Sequence, residues 1–123
     1  MSTRLLTLVA AFVVALALAA IAGARSTAPS FVQVTEKEWQ ITLSRTSVKA
    51  GKVFVEVVNF GTDAHDLVVL RQKKGAKPVK FPQVDPNGRS EKPLTLAAGR
   101  YTLWCSLPGH RERGMKTTLV VRA

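Results

Sequence analysis

From residue 31 onward, apolar and polar residues alternate in short segments, and glycine or proline interrupts the chain between them. A period of two places successive side chains on opposite faces of an extended strand, so each segment predicts a strand. The clearest segments are 38–43, 53–59, 65–70, 92–96, 100–105 and 115–121. No stretch after residue 25 has the 3.6-residue period of an amphipathic helix. Short strands separated by turns indicate an all-β sandwich of about six to eight strands.

The first 24 residues have a different pattern. Arg4 precedes an almost unbroken apolar run from Leu5 to Ile21, and Ala22-Gly23-Ala24 follows the run. A positive residue, an apolar stretch and a small-x-small site are typical of an export signal, so we expect the mature chain to begin near Arg25. Because the run approaches the roughly 20 residues that span a bilayer, an uncleaved N-terminal membrane anchor is the alternative.

The residues after the signal are enough for one domain and too few for two. We expect residues 25–30 to be a short tether and residues 31–123 to be the domain. Residues 71–90 combine three prolines with four lysines and predict a long basic loop. The export signal predicts a periplasmic or other extracytoplasmic location, with the domain either free or held to the membrane by its N-terminal segment.

The charge of the chain is strongly positive, with 18 Lys and Arg against 8 Asp and Glu and a formal net charge of +10 at pH 7. Such a surplus favours acidic proteins or an anionic membrane surface as partners, and the plainer interpretation is a basic surface that only confers solubility. Nucleic acid is not expected as a partner, because the chain carries an export signal and lacks an aromatic-rich basic motif. We expect the domain to be a monomer.

Four residues stand out chemically. Cys105, His110 and Met115 are spaced five residues apart in a predicted loop between the last two strands, and His65 begins an earlier predicted strand. A lone cysteine in an exported chain has no internal disulfide partner, so it is a leftover thiol, a dimer link or a metal ligand. Two imidazoles, one thiolate and a weak axial thioether suit a copper ion that cycles between Cu(I) and Cu(II). The spacing favours the ligand interpretation.

Plainer interpretations of the same residues stay open. His65 would then be a strand-edge histidine bonded to Asp63 or Asp66, and Met115 would fill a gap in the core. Zinc is a rival ion, but a structural zinc site uses four good donors and methionine is a poor one. A cysteine–histidine nucleophile is the enzymatic rival, and we expect no enzyme because no substrate cleft is evident. In an immunoglobulin-like interaction module the four residues would be scattered.

The segment Gly99-x-Tyr101-x-Leu103-x-Cys105 resembles the strand that leads to the cysteine of the cupredoxin family. Pro108-Gly109-His110 and Gly114-Met115 resemble the ligand loop of the azurin-like and sulfocyanin-like members of that family. An aromatic residue is more usual in that family at the position of Leu103. Asn59-Phe60-Gly61 followed by His65 resembles the stretch that carries the family's first histidine ligand. The resemblance covers nearly all of the chain from about Phe31 to Ala123.

This resemblance implies a cupredoxin-like Greek-key β-sandwich with one type 1 copper, held by His65, Cys105 and His110 equatorially and by Met115 axially. It implies that the protein passes single electrons between redox partner proteins through the His110 edge. A copper carrier or chaperone, which delivers or buffers copper outside the cytoplasm, is the alternative function. Arg111 and Arg113 flank His110 and are candidates for orienting an acidic redox partner.

One residue departs from the family pattern. Many members have asparagine directly after the first histidine, where this chain has Asp66. In the family this residue ties the two ligand loops together, so we expect Asp66 to accept a hydrogen bond from the hydroxyl or the backbone N–H of Ser106. The negative charge of Asp66 near copper is expected to favour Cu(II) and to lower the reduction potential.

Overall fold

The computed structural model describes residues 28–123, and nine strands in this range form two sheets. In chain order the strands are β1 (Ser30–Lys37), β2 (Gln40–Leu43), β3 (Ser47–Lys49), β4 (Gly51–Asn59), β5 (Val68–Arg71), β6 (Val79–Lys80), β7 (Arg89–Leu96), β8 (Gly99–Trp104) and β9 (Lys116–Arg122). The first sheet has the order β2-β1-β4-β7, and the second has the order β3-β9-β8-β5-β6. The predicted all-β sandwich is confirmed.

Three of these strands were not among the predicted segments. β1 carries an alternating pattern, and its first residue, Ser30, falls in the predicted tether. β3 and β6 are only three and two residues long, and they exist because they pair with β9 and β5. Pairing with a distant strand leaves no local pattern, which explains why β3 and β6 were not predicted. The predicted signal, residues 1–24, lies outside the described residues.

The core lies between the sheets and is formed by alternate residues of the central strands. β4 buries Val53, Val55 and Val57, as its pattern predicts, and β8 buries Tyr101 and Leu103. Each of these valine and leucine side chains contributes roughly 1.5–3 kcal/mol when fully buried. Along 28–123 no helix has the length and apolar character needed to cross a bilayer.

The outer face of β4 is partly exposed. Phe54 is 43% exposed there, and its register partner on the parallel neighbour β1, Phe31, is 45% exposed. Sequence alternation alone does not reveal this, because it gives no information on whether another layer covers the second face of a sheet.

The sandwich has two ends, which the strand registers define. At the site end lie the pairs Glu36↔Asn59, Val58↔Arg89 and Trp104↔Lys116. At the far end lie the pairs Ser30↔Val53, Gly51↔Leu96 and Gly99↔Val121. The loop that follows β4, the loop that joins β8 to β9 and the turn between β1 and β2 are therefore all at the site end.

Candidate metal centre

Three of the four predicted ligands meet at the site end. The Nδ1 atoms of His65 and His110 are 3.1 Å apart, and the Sγ atom of Cys105 lies 3.5 Å from Nδ1 of His110. All three ligand atoms lie within 4.8 Å of one another, and no other group of three or more His, Cys, Asp or Glu in residues 28–123 has this property. Because zinc, for example, binds imidazole nitrogen at about 2.0–2.1 Å and thiolate at about 2.3 Å, atoms with this spacing can share one ion.

Backbone hydrogen bonds close the loop that carries Cys105, His110 and Met115. The N–H of Cys105 donates to the carbonyl of Met115, and the N–H of Met115 donates to the carbonyl of His110, each at 3.1 Å. The N–H of His110 donates to the carbonyl of Leu107 at 3.1 Å. Met115 is fully buried within the core cluster that also contains Cys105. Its role as the axial ligand stays a prediction.

Gly114 lets the loop turn back so that Met115 enters the core. Its φ is +123°, a conformation that L side chains rarely adopt. A Cβ atom at this position would lie 3.0 Å from the backbone oxygen of Trp39. The close approach of these two segments therefore requires glycine.

His65 is fixed in the loop between β4 and β5. It is fully buried, and it forms an isolated bridge with Val84: its N–H donates to the Val84 carbonyl at 3.1 Å, and the Val84 N–H donates to the His65 carbonyl at 2.7 Å. The buried side chain of Asn59 organises the same loop. Its Nδ2 donates to the carbonyls of Asp63 and Val84, and its Oδ1 accepts from the N–H of Gly61.

Glu38 is a site residue that the sequence analysis missed. Its Oε1 lies 2.9 Å from Nε2 of His65 and accepts from the backbone N–H of Asp63 at 2.8 Å. Hydrogen bonds from the backbone of Asp63 foremost, then of Thr62, and from His65 hold the pKa of Glu38 well below its usual value, at about 2. A charged carboxylate accepts from Nε2–H, which leaves Nδ1 of His65 as the nitrogen that can bind a metal.

The predicted bond between the two ligand loops is confirmed. Oδ1 of Asp66 accepts from the backbone N–H of Ser106 at 2.5 Å, and Oδ2 accepts from the Ser106 hydroxyl at 2.6 Å. The N–H of Asp66 points to Sγ of Cys105 at 3.5 Å. The His65 ring is bonded to Glu38 through Nε2, and not to Asp63 or Asp66 as in the plainer interpretation of the sequence.

Two further groups at this end have raised pKa values. Burial foremost, with the charge of Asp66 second, raises the pKa of Glu36 to about 8, and burial raises the pKa of the Cys105 thiol to about 11. Among the described residues, the two carboxylate oxygens of Glu36 are the only buried side-chain N or O atoms without a hydrogen-bond partner. Burial therefore favours the protonated form of Glu36, and a metal that binds Cys105 must displace the thiol proton.

His110 is the ligand candidate that reaches the surface. It is partly buried, whereas His65 and Cys105 are fully buried. The ring of Trp39 packs edge to face against the His110 ring at 4.9 Å, and the guanidinium of Arg113 lies 4.3 Å above Trp39. Arg111 lies 4.6 Å above the ring of Trp104. Both arginines are exposed beside His110, where the sequence places them.

No protein-family model matches the sequence, and no curated protein matches it at a significant level. Several solved structures, however, are similar to this chain. An auracyanin from Roseiflexus castenholzii, reduced with dithionite, has a TM-score of 0.60 and 16% identity over 79% of this chain and 100% of that chain. Auracyanin A, a "blue" copper protein from Chloroflexus aurantiacus, has a TM-score of 0.62 and 20% identity over 77% of this chain and 100% of its own.

A mutant of amicyanin in its reduced Cu(I) form has a TM-score of 0.54 and 17% identity, and the match covers 79% of this chain and 87% of that chain. Likeness at this level of identity concerns the fold. The evidence for the metal site is the geometry of this chain, in which two imidazole nitrogens and one sulfur lie within 4.8 Å of one another. The chain therefore has the β-sandwich fold of the small blue copper proteins, the cupredoxin fold, and its His65, Cys105, His110 and Met115 are a set of residues that fits a type 1 copper site.

Proposed function

We propose that this protein is an exported, mononuclear type 1 copper protein that transfers single electrons between redox partners. The observation that carries the proposal is the convergence of Nδ1 of His65, Nδ1 of His110 and Sγ of Cys105 within 4.8 Å at one end of a β-sandwich. In the proposal these three residues are the strong ligands, and the buried Met115 is the weak axial ligand. One thiolate, two imidazoles and a thioether select copper over zinc, for which methionine is a poor donor.

Bound copper would supply a one-electron couple between Cu(I) and Cu(II). The protein residues hold the ligands in one arrangement for both states. Glu38 orients His65 through Nε2, and Asp66 ties the His65 loop to the Cys105 loop through two bonds to Ser106. Such outer contacts fix ligand orientation and tune the metal. We also propose that Asp66 lowers the reduction potential, and a potential that is unchanged in Asp66→Asn would contradict this.

The proposed route for electrons is the His110 edge. His110 is the one strong ligand candidate with an exposed part, so it offers the shortest path from the site to a partner's surface. The exposed Arg111 and Arg113 lie on the tryptophan rings beside it and would attract an acidic group of a partner.

Export and the absence of catalysis are part of the same proposal. The apolar run of residues 5–21 supports export to a periplasmic or other extracytoplasmic location. A copper enzyme of the oxidase type needs a second set of ligands, and residues 28–123 contain one set. The backbone bonds that close the ligand loop on Met115 favour an electron carrier over a copper carrier, because a copper carrier has to release its ion readily.

The test is to load the full-length protein with Cu(II) and to record its visible and paramagnetic resonance spectra. We expect an intense thiolate-to-copper band, no such band with Zn(II), and loss of the band in Cys105→Ser. Thr102→Ser, on β8 but outside the ligand group, is the matched control and should keep the band. A band that survives Cys105→Ser would overturn the ligand assignment. Rapid transfer of the ion to a chelator, without reversible one-electron cycling, would favour the copper carrier.

A further inference from the structure

Charge is distributed unevenly between the two ends of the sandwich. The far end carries seven exposed cationic side chains: Lys49, Lys52, Lys73, Lys74, Lys77, Arg100 and Arg122. Strand registers place them together, because Lys49 pairs with Arg122, Lys52 pairs with Thr95, and the loop 72–78 follows the far end of β5. These seven residues are far apart in the sequence. The sequence therefore shows a surplus of positive charge but does not show that it gathers at one end of the fold.

Acidic residues do not offset this charge. The chain has eight Asp and Glu, all within the described residues, and none of them lies at the far end. Six are near the site end, and the remaining two, Glu56 and Glu91, pair with each other in the middle of β4 and β7. In residues 28–123 the only ion pairs are His65 with Glu38 and Arg89 with Glu56, so the far-end cations are free to meet an external anion.

Two further features of the far end suit a lipid surface in particular. A groove of about 380 Å³ is lined in part by the cationic residues Arg71, Lys73, Lys74 and Lys77. Near this end the aromatic pair Phe31 and Phe54 is exposed on the outer face of the first sheet. Basic side chains next to exposed aromatic rings are the combination that binds the interface of an anionic bilayer.

The path of the chain points to the same end. Pro29 leads into Ser30, the first residue of β1, and Ser30 pairs with Val53 at the far end. In the sequence, residues 22–29 separate the apolar run from β1, and eight residues reach at most about 28 Å. If the N-terminal segment is not cleaved and its apolar residues 5–21 lie in a membrane, they would hold the far end, and not the site end, at that membrane.

We propose that the far end is a membrane-contact surface that binds anionic lipid headgroups through its seven cations, with Phe31 and Phe54 at the headgroup level. This proposal does not depend on the copper site. It defines an orientation in which the ligand loops and His110 face away from the membrane.

The experiment is lysine footprinting of the full-length protein on phosphatidylcholine vesicles with and without phosphatidylglycerol, at low salt. Amine acylation read by peptide mass gives a rate for each lysine. We expect Lys49, Lys52, Lys73, Lys74 and Lys77 to react more slowly on the anionic vesicles only. Lys37 and Lys116, at the site end, are controls within the same molecule and should be unchanged. High salt should remove the protection, because it screens exposed charges.

A matched pair of triple variants isolates the far end. Lys73→Gln/Lys74→Gln/Lys77→Gln should lower the affinity for anionic vesicles on the order of a hundredfold, since each lysine contributes roughly a factor of five to that affinity. The readout is the protection of Lys49 and Lys52. Lys37→Gln/Lys80→Gln/Lys116→Gln removes the same number of charges from exposed lysines elsewhere and should leave that protection intact.

Equal acylation on both kinds of vesicle, or protection of Lys37 and Lys116 instead, would overturn the proposal. Polyglutamate serves as a third arm. If it protects the far-end lysines while anionic vesicles do not, the surface binds an acidic protein and the membrane proposal is wrong.

Discussion

Glu36 occupies a position where most strands have an apolar side chain. It follows Val32 and Val34 on the buried face of β1, and neither of its carboxylate oxygens has a hydrogen-bond partner among the described residues. A buried carboxyl avoids the cost of its charge by staying protonated, and the negative Asp66 nearby adds to that preference.

Glu36 should make the folded state less stable as pH rises. Its pKa is about 8 in the folded state and 4.5 in an exposed reference, so the folded state binds the extra proton between these values. Stability should fall between about pH 4.5 and 8, by on the order of a few kcal/mol. Urea unfolding at pH 5 and pH 8 measures this. Glu36→Gln should reduce the pH dependence of the free energy of unfolding, whereas Glu91→Gln, at an exposed position, should not. If the wild type and both variants show the same pH dependence, Glu36 is not its cause.

Glu38 should govern how tightly the site holds metal. Its carboxylate fixes the ring of His65 through Nε2, and loss of such an outer contact typically lowers metal affinity roughly 10–100-fold. We expect Glu38→Ala to show this loss in a chelator competition with Cu(II). Glu91→Ala, at an exposed position of β7, is the control. Equal affinity in both variants would show that Glu38 does not position His65.

At the scale of elements, the ligand loop between β8 and β9 depends on one glycine. Gly114→Ala would place a Cβ 3.0 Å from the Trp39 oxygen, in a backbone conformation with φ of +123°. We expect a loss of about 1–3 kcal/mol in the free energy of unfolding. Gly51→Ala, where φ is +117° and no atom lies within 4 Å of the added Cβ, carries a similar backbone strain without the contact. If both variants lose the same stability in denaturant titrations, the close approach to Trp39 is not what the glycine permits.

The elements also show what the sequence reveals and what it hides. The alternation in β4, β8 and β9 predicts the sandwich because each of these strands buries one face by itself. The ligand loop was recognisable because Cys105, His110 and Met115 are close in sequence. Glu38 and Glu36 were not, because their roles arise only when β1 and the turn after it lie against the loops that carry His65 and Asp66. No local pattern records such a contact.

At the scale of the molecule, the proposed copper site joins segments that belong to different sheets. Glu38 lies between β1 and β2 of the first sheet, and Cys105 directly follows β8 of the second. His65 lies in the loop that connects β4 of the first sheet to β5 of the second. A ligand that binds only the folded state stabilises it, by about 2.7 kcal/mol at a hundredfold excess over its dissociation constant. Copper should therefore raise the unfolding temperature in calorimetry. Cys105→Ser should show no comparable rise, and a rise of equal size would place the ion elsewhere.

The segregation of charge also gives the domain an electric dipole that runs between the site end and the far end. Such a dipole turns a molecule during diffusion, so an acidic protein that approaches from solution meets the positive end first. That encounter is unproductive for electron transfer, because the nine-residue β4 separates this end from the ligand loops by about 30 Å. A negatively charged bilayer that covered the positive end would prevent this unproductive encounter. The end that carries His110 would then be the one that a partner protein can reach.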